Sequence, residues 1–249
     1  NIIYIDEIQK VPALFDSIQY LIDEHKKKFI LTGSSARKLR RQEANLLPGR
    51  LILHRLDPLM WGELGLTKDS LIPEITVPNI SNPIGYSMDE SMIYGSLPEI
   101  VSVTSEQRKE ILKSYSTIYL EEEIRAEAIS RNIGIFSSFL QLIAFESGSN
   151  PNFTKVSNET GISVITVKEY FQILVDTLII HQLPPFIKSA RRRIAKTPKY
   201  FLFDIGVKNA TADVPLEKEL VNINRGSLFE HFIILEMFRR QRLNNNFRL

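Results

Sequence analysis

Four consecutive apolar residues, Ile2-Ile3-Tyr4-Ile5, run straight into two carboxylates, Asp6 and Glu7, and this order constrains the fold more than any other stretch. A strand that is apolar at every position is expected inside a parallel sheet, covered on both faces. Its carboxyl end is the edge where open α/β sheets bind ligands, which places Asp6 and Glu7 there. Val11, Leu14, Ile18, Leu21 and Ile22 then recur at helical spacing, with Pro12 suited to a first turn, so residues 10–25 are predicted to form an amphipathic helix. Phe29-Ile30-Leu31 reads as a second strand, and Thr32-Gly33-Ser34-Ser35 as a polar turn able to cap the next helix. Strand, helix, strand implies a right-handed crossover. A helix over 36–47, the turn Pro48-Gly49-Arg50 and a third parallel strand at Leu51-Ile52-Leu53 complete this α/β part, which is expected to end near Asp57.

Prolines at 58, 73, 78 and 83 make the next stretch loops and short pieces across a boundary. Residues 89–147 then read as helical almost throughout, with one stripe of Ile111, Leu112, Tyr115, Ile118 and Tyr119 and another of Phe136, Phe139, Leu140 and Ile143. A short helix from Phe153 to Thr160, the turn Gly161-Ile162-Ser163 and a second helix carrying Val167, Tyr170, Phe171, Leu174 and Leu178 make a helix-turn-helix, with Ser163 as N-cap. Residues 178–183 and 200–203 supply two strands of a wing. A last helix is expected from Ser227 to Arg242, with Phe229, Phe232, Ile233, Leu235 and Met237. The predicted organisation is therefore an α/β parallel-sheet part over 1–57, a connecting and helical lid region over 58–131, a winged helix over 132–203, and the start of a C-terminal domain over 204–249. Because the chain opens on Asn1 and enters a strand at once, it is expected to be a piece of a longer protein.

Composition removes several classes of chemistry. With 249 residues and 43% hydrophobic content the chain can bury a sizeable core in more than one domain. It has no cysteine, so disulfides and thiolate metal sites are out, and its four histidines stand singly. Thirty-one basic residues against 29 acidic ones leave nucleic-acid binding to a local cluster. With no long apolar run and no leader-like start, a cytoplasmic protein that does not engage a membrane is expected.

An aspartate at a strand end can face hydrated magnesium, and the glutamate beside it can orient or deprotonate an attacking water, which is what ATP hydrolysis needs. Acids also simply terminate strands, so the neighbours decide. Ser34, or else Thr32, at the end of the adjacent strand could hold that water or the γ-phosphate, or could only cap a helix. Arg50 could stabilise charge on a phosphate of its own or an adjacent subunit, or could only be solvated.

Seven short motifs then appear in order: Tyr4-Ile5-Asp6-Glu7-Ile8-Gln9, Leu31-Thr32-Gly33-Ser34-Ser35, Leu47-Pro48-Gly49-Arg50, Tyr94-Gly95-Ser96-Leu97-Pro98-Glu99, Thr166-Val167-Lys168-Glu169-Tyr170, Lys199-Tyr200-Phe201-Leu202-Phe203-Asp204-Ile205-Gly206 and Gly226-Ser227-Leu228-Phe229-Glu230. Together they resemble the prokaryotic AAA+ P-loop ATPases that carry a winged helix and a C-terminal domain related to restriction-endonuclease-like folds. The resemblance implies ATP and Mg2+ as cofactors, Asp6 as the magnesium-side carboxylate, Glu7 as catalytic base, Ser34 as sensor, Thr32 as a further nucleotide contact and Arg50 as arginine finger, and with it a homo-oligomer. It also implies a P-loop, yet none of the 11 glycines is followed by lysine. On its own this chain is expected to bind ATP poorly or not at all.

Lys188, Arg191, Arg192, Arg193, Lys196 and Lys199 form a run without an intervening acid between the predicted wing strands, placed to contact phosphates. The second helix of the helix-turn-helix offers Lys168 and Gln172 but also Glu169 and Asp176, a poor surface for reading base edges. The alternative to an ATPase is thus a nucleic-acid-binding winged helix on a degenerate ATPase scaffold, with DNA contacted through the basic wing.

Overall fold

The computed structural model describes residues 2–33, 50, 52, 54–65, 86–119, 133–186 and 197–243. Packing separates two compact units, residues 1–56 with 176–178, and residues 57–175 with 179–249.

In the first unit, β1 (Ile2–Ile5) leads through a 3-10 turn at Ile8–Lys10 into α1 (Leu14–Asp23), and β2 (Lys28–Leu31) follows. The strands pair in parallel, from Ile2 opposite Lys28 to Ile5 opposite Leu31, as a crossover requires. The helix starts later than its apolar spacing predicts, with Pro12 and Ala13 ahead of the first turn. That shift selects Phe15, Ile18 and Ile22 as the inward stripe, packed with Ile8, Ile5, Phe29 and Leu31. Val11 and Leu14 point to solvent. A further expectation is corrected here: β1 is not covered on both faces, since Ile2 and Tyr4 are 49% and 71% exposed and Ile30 on β2 is 46% exposed. Alternate strand residues face opposite ways, and among the described residues α1 covers only the side of Ile3, Ile5, Phe29 and Leu31. Ile52 lies outside any strand and is exposed, while Leu51, Leu53 and the predicted helix over 36–47 lie outside the described residues.

The second unit is mostly helical. It comprises α2 (Met88–Tyr94), α3 (Pro98–Val101), α4 (Ser105–Ser114) continued by a π turn at Tyr115–Tyr119, α5 (Ile133–Phe145), α6 (Phe153–Thr160), α7 (Val164–Asp176), β3 (Ile180–Leu183), β4 (Lys199–Leu202), α8 (Ile205–Thr211) and α9 (Lys218–Leu243). Local sequence accounts for most boundaries. Ser87 and Glu90 form a capping box on α2, their side chains and backbone N–H groups pairing at 2.8 and 3.2 Å. Pro98 occupies the first turn of α3. Ser163 Oγ accepts from Thr166 N–H at 3.2 Å, the predicted start of α7. Helices α6 and α7 are joined by Gly161-Ile162-Ser163, and β3 pairs antiparallel with β4.

One core runs through segments that the sequence divides into lid, winged helix and C-terminal start. Met92 and Ile100, Phe139 and Ile143, Val167 and Leu174, Tyr200 and Leu202, and Leu228 and Phe232 belong to a single buried cluster. Residues 204–249 therefore do not begin a separate body among the described residues: α8 lies against α2 and α5, and α9 against α2. The last helix is longer than predicted, with non-helical dihedrals at Asn224, and Phe229 and Met237 from its predicted stripe are exposed. His231 is buried, its Nε2 2.8 Å from the Leu202 carbonyl, and burial pushes its pKa down to about 3, so the ring stays neutral.

Two of the resemblance motifs meet in this core. Gly95, at φ 77°, faces the Asp204 carboxylate, and Gly206 lies against the Tyr94 carbonyl. Asp204 accepts from Ser96 N–H at 2.8 Å, Gly206 N–H at 2.9 Å and Val207 N–H at 3.0 Å, capping α8 while holding the end of α2. Asn209 donates from one amide nitrogen to the Met92 and Ile93 carbonyls. A Cβ on residue 206 would stand 2.0 Å from Tyr94 O, and backbone has no room to retreat. Gly206→Ala is accordingly expected to destabilise the protein by about 3 kcal/mol. A denaturation midpoint equal to that of the wild type would contradict the close approach of α2 and α8.

Candidate functional site

Register brings the site together. One step beyond the last strand pair, Ile5 opposite Leu31, lie Asp6 and Thr32 at the carboxyl edge of the parallel pair. Backbone bonds continue past both strands: Thr32 N–H donates to the Ile5 carbonyl at 2.9 Å, and Ile8 N–H to the Thr32 carbonyl at 3.0 Å. Between them the chain turns at Glu7, whose φ of 52° and ψ of 42° are left-handed. For a residue with a Cβ this conformation costs about 1–2 kcal/mol. Burial of Ile8 against Phe15 and Ile18 offsets that cost by fixing the next residue in the core.

The Thr32 hydroxyl joins the two carboxylate-bearing residues. Its Oγ1 donates to Asp6 Oδ1 and accepts from Glu7 N–H at 3.4 Å, a long bond. Asp6 is exposed and Glu7 half-buried. Lys10 Nζ lies 3.9 Å from Glu7 Oε2, an exposed pair of small energetic weight. The arrangement offers oxygen donors, one of them already oriented by a hydroxyl, at an open strand edge. That suits a hydrated hard cation and a water beside it.

Of the two residues that could serve as sensor, Thr32 is the one the structure sets on Asp6; Ser34 lies outside the described residues. Arg50 stands elsewhere. Its Nε donates to Asp23 Oδ1 at 2.7 Å, and this contact holds the Asp23 carboxyl below, and the guanidinium above, their ordinary ranges. Asp23 is the last residue of α1, so this contact engages Arg50 at the carboxyl end of that helix. Within the basic run, Lys199 is described, and it is paired with Glu230 at 2.6 Å on an exposed surface. Lys188, Arg191, Arg192, Arg193 and Lys196 lie outside the described residues.

Charged residues in the second unit that sequence reasoning passed over are more deeply embedded. Glu236 and Arg239 are 2% and 6% exposed on α9, and the segment 57–65 binds both. The signal for them was available: Leu228, Phe232, Leu235 and Arg239 continue one helical stripe, and a charge at such a position needs a buried partner. Among the described residues there is no group of three or more potential metal ligands, and no helix is long and apolar enough to cross a membrane.

Comparison with known proteins gives two successive matches along the chain. Residues 1–65 match a family model described as an AAA domain, and residues 86–218 match one described as a domain of unknown function, DUF8612. The first match supports an AAA-like amino-terminal region. Among curated proteins, an uncharacterized protein of Mycobacterium tuberculosis is 21% identical over 241 residues, covering 95% of this chain and 50% of the relative. An uncharacterized protein of Haemophilus influenzae is 23% identical over 241 residues, covering 95% of this chain and 57% of the relative. The chain thus spans about half the length of the curated relatives it matches. No solved structure gives a significant match.

Proposed function

We propose, from the premise that this chain belongs to the DUF8612 family and carries an AAA-like region before that domain, that the protein binds and hydrolyses ATP with Mg2+. The observation that carries this reading is the Thr32 hydroxyl seated on Asp6 and beside the Glu7 N–H, at the carboxyl edge of a parallel strand pair. In this reading Asp6 would hold hydrated magnesium, Glu7 would take a proton from the attacking water, and Thr32 would orient Asp6 and sense the γ-phosphate. Mg2+ would supply charge neutralisation on the phosphates. The oxygen-only donor set fits it, and Thr32 leaves the second Asp6 oxygen available for a metal-bound water. Ser34 is a second sensor candidate. Arg50 would serve as an arginine finger only after release from Asp23, toward a nucleotide held by another copy in a homo-oligomer.

The test is magnesium-dependent phosphate release by the protein as encoded, beside its Asp6→Asn and Thr32→Val variants. Both substitutions are expected to lower turnover at least about tenfold. Equal turnover in all three proteins would remove this edge from the chemistry.

A second reading rests on the helix-turn-helix of α6 and α7 followed by the antiparallel β3 and β4, an order that supports a winged helix over residues 132–203. Here a basic wing would contact DNA without reading sequence. Alanine at Arg191, Arg192 and Arg193 is then expected to weaken duplex binding and to lower the salt slope by about 2–3. An unchanged slope would sink the reading.

A further inference from the structure

The AAA-domain match and the packing disagree about one segment, and the disagreement has a physical content. Residues 57–65 fall within the match that ends at 65, yet they pack in the second unit, which begins at Asp57. Their attachment there is regular. Arg242 donates to Asp57 Oδ1. Arg239 donates to the Leu59 carbonyl at 2.8 Å, while Leu59 N–H donates to the Ser96 carbonyl at 2.8 Å. Trp61 N–H donates to Glu236 Oε2 at 3.2 Å. Every second residue of the segment thus meets every third residue of α9, in antiparallel order.

These contacts differ from surface pairing. Glu236 also accepts from Arg240 Nε at 2.7 Å, and Arg239 reaches Ser96 Oγ at 2.9 Å, so both buried charges are committed on two sides. The Trp61 ring stacks on Phe232, with centroids 4.7 Å apart and planes at 21°. A buried charge keeps its partners or leaves the interior, so the attachment favours two discrete arrangements over gradual loosening.

We propose that residues Asp57–Gly65 are a coupling strap, clamped on α9 by Glu236, Arg239 and Arg242, through which the nucleotide state of the AAA-like unit biases the helical second unit that carries the DUF8612 match. The proposal rests on the ATPase reading. Its physical requirement is linkage: if nucleotide shifts the strap between two arrangements, a change that weakens the clamp shifts nucleotide affinity in return.

Trp61, the only tryptophan in this chain, is the reporter. In the protein as encoded, Trp61 emission is isolated by subtracting the spectrum of a Trp61→Phe variant. It is then followed during titration with Mg·ADP, and with Mg·ATP in the Glu7→Gln background. Binding is measured separately by anisotropy of a fluorescently labelled nucleotide. A shift in Trp61 emission on saturation is expected, with nucleotide affinity altered about fivefold or more in Glu236→Gln and in Asp57→Asn. The second variant lies at the more exposed end of the clamp, so it reports even if the first does not fold. Nucleotide bound with Trp61 emission unmoved, or affinity within about twofold of wild type in both variants, overturns the strap and leaves the ATPase reading standing. Absence of nucleotide binding overturns both.

Discussion

Glu7→Gln is expected to leave nucleotide binding by the encoded protein close to that of the wild type, while hydrolysis falls about a hundredfold to ten-thousandfold. Glutamine keeps the shape of glutamate and one oxygen that can still accept hydrogen bonds, but it cannot take the proton from water. The substitution also preserves the backbone problem at this position, a residue with a Cβ held at φ 52°, so loss of turnover would not be loss of the turn. Glu7→Gly separates the two roles. Glycine adopts this conformation without the penalty of about 1–2 kcal/mol, so the variant should be as stable as the wild type or more so, and equally deficient in hydrolysis. Single-turnover phosphate release with binding measured in parallel decides the matter. Turnover retained in Glu7→Gln would remove proton transfer by Glu7 from the mechanism, and turnover lost only in Glu7→Gly would leave its side chain a positioning role.

Much of this edge was legible because the information is local and periodic. Four apolar residues, two acids, a helical stripe and a second apolar run define a strand-helix-strand whose register needs one further residue to set Thr32 beside Asp6. The limits of α6 and the cap at Ser163 were legible for the same reason. Coverage of β1 was not, because an all-apolar strand says what its faces tolerate rather than what packs on them. The Tyr94-Gly95-Ser96 and Phe203-Asp204-Ile205-Gly206 motifs were visible as resemblance, but their purpose depends on approach across more than a hundred residues. No periodicity within either motif encodes that approach. The strap was missed for a related reason: Asp57, Leu59 and Trp61 look like loop until α9 is placed beside them.

Asp204 makes the corresponding test in the second unit, since a buried acid can be a chemical group or a structural one. Its three N–H donors leave no oxygen pointed at solvent, and it caps α8 while it receives the backbone of Ser96. Burial pushes the carboxyl up; the N–H groups and the nearby Arg239 guanidinium act against that, and burial likewise pushes Arg239 down. The two charges therefore depend on each other, and removing one leaves the other in a poor dielectric. Asp204→Ala is expected to cost about 3–5 kcal/mol, the sum of a lost cap, an orphaned Ser96 N–H and the loss of one of the carboxylates that offset the buried Arg239 charge. Asp204→Asn should cost less than the alanine change, because its amide oxygen can still cap α8, although its amide hydrogens offer Ser96 N–H nothing to donate to. Denaturant titration of the three proteins distinguishes the roles. An alanine variant as stable as the wild type would mean that Asp204 is kept for chemistry; a large loss graded from asparagine to alanine would make it the joint between α2 and α8.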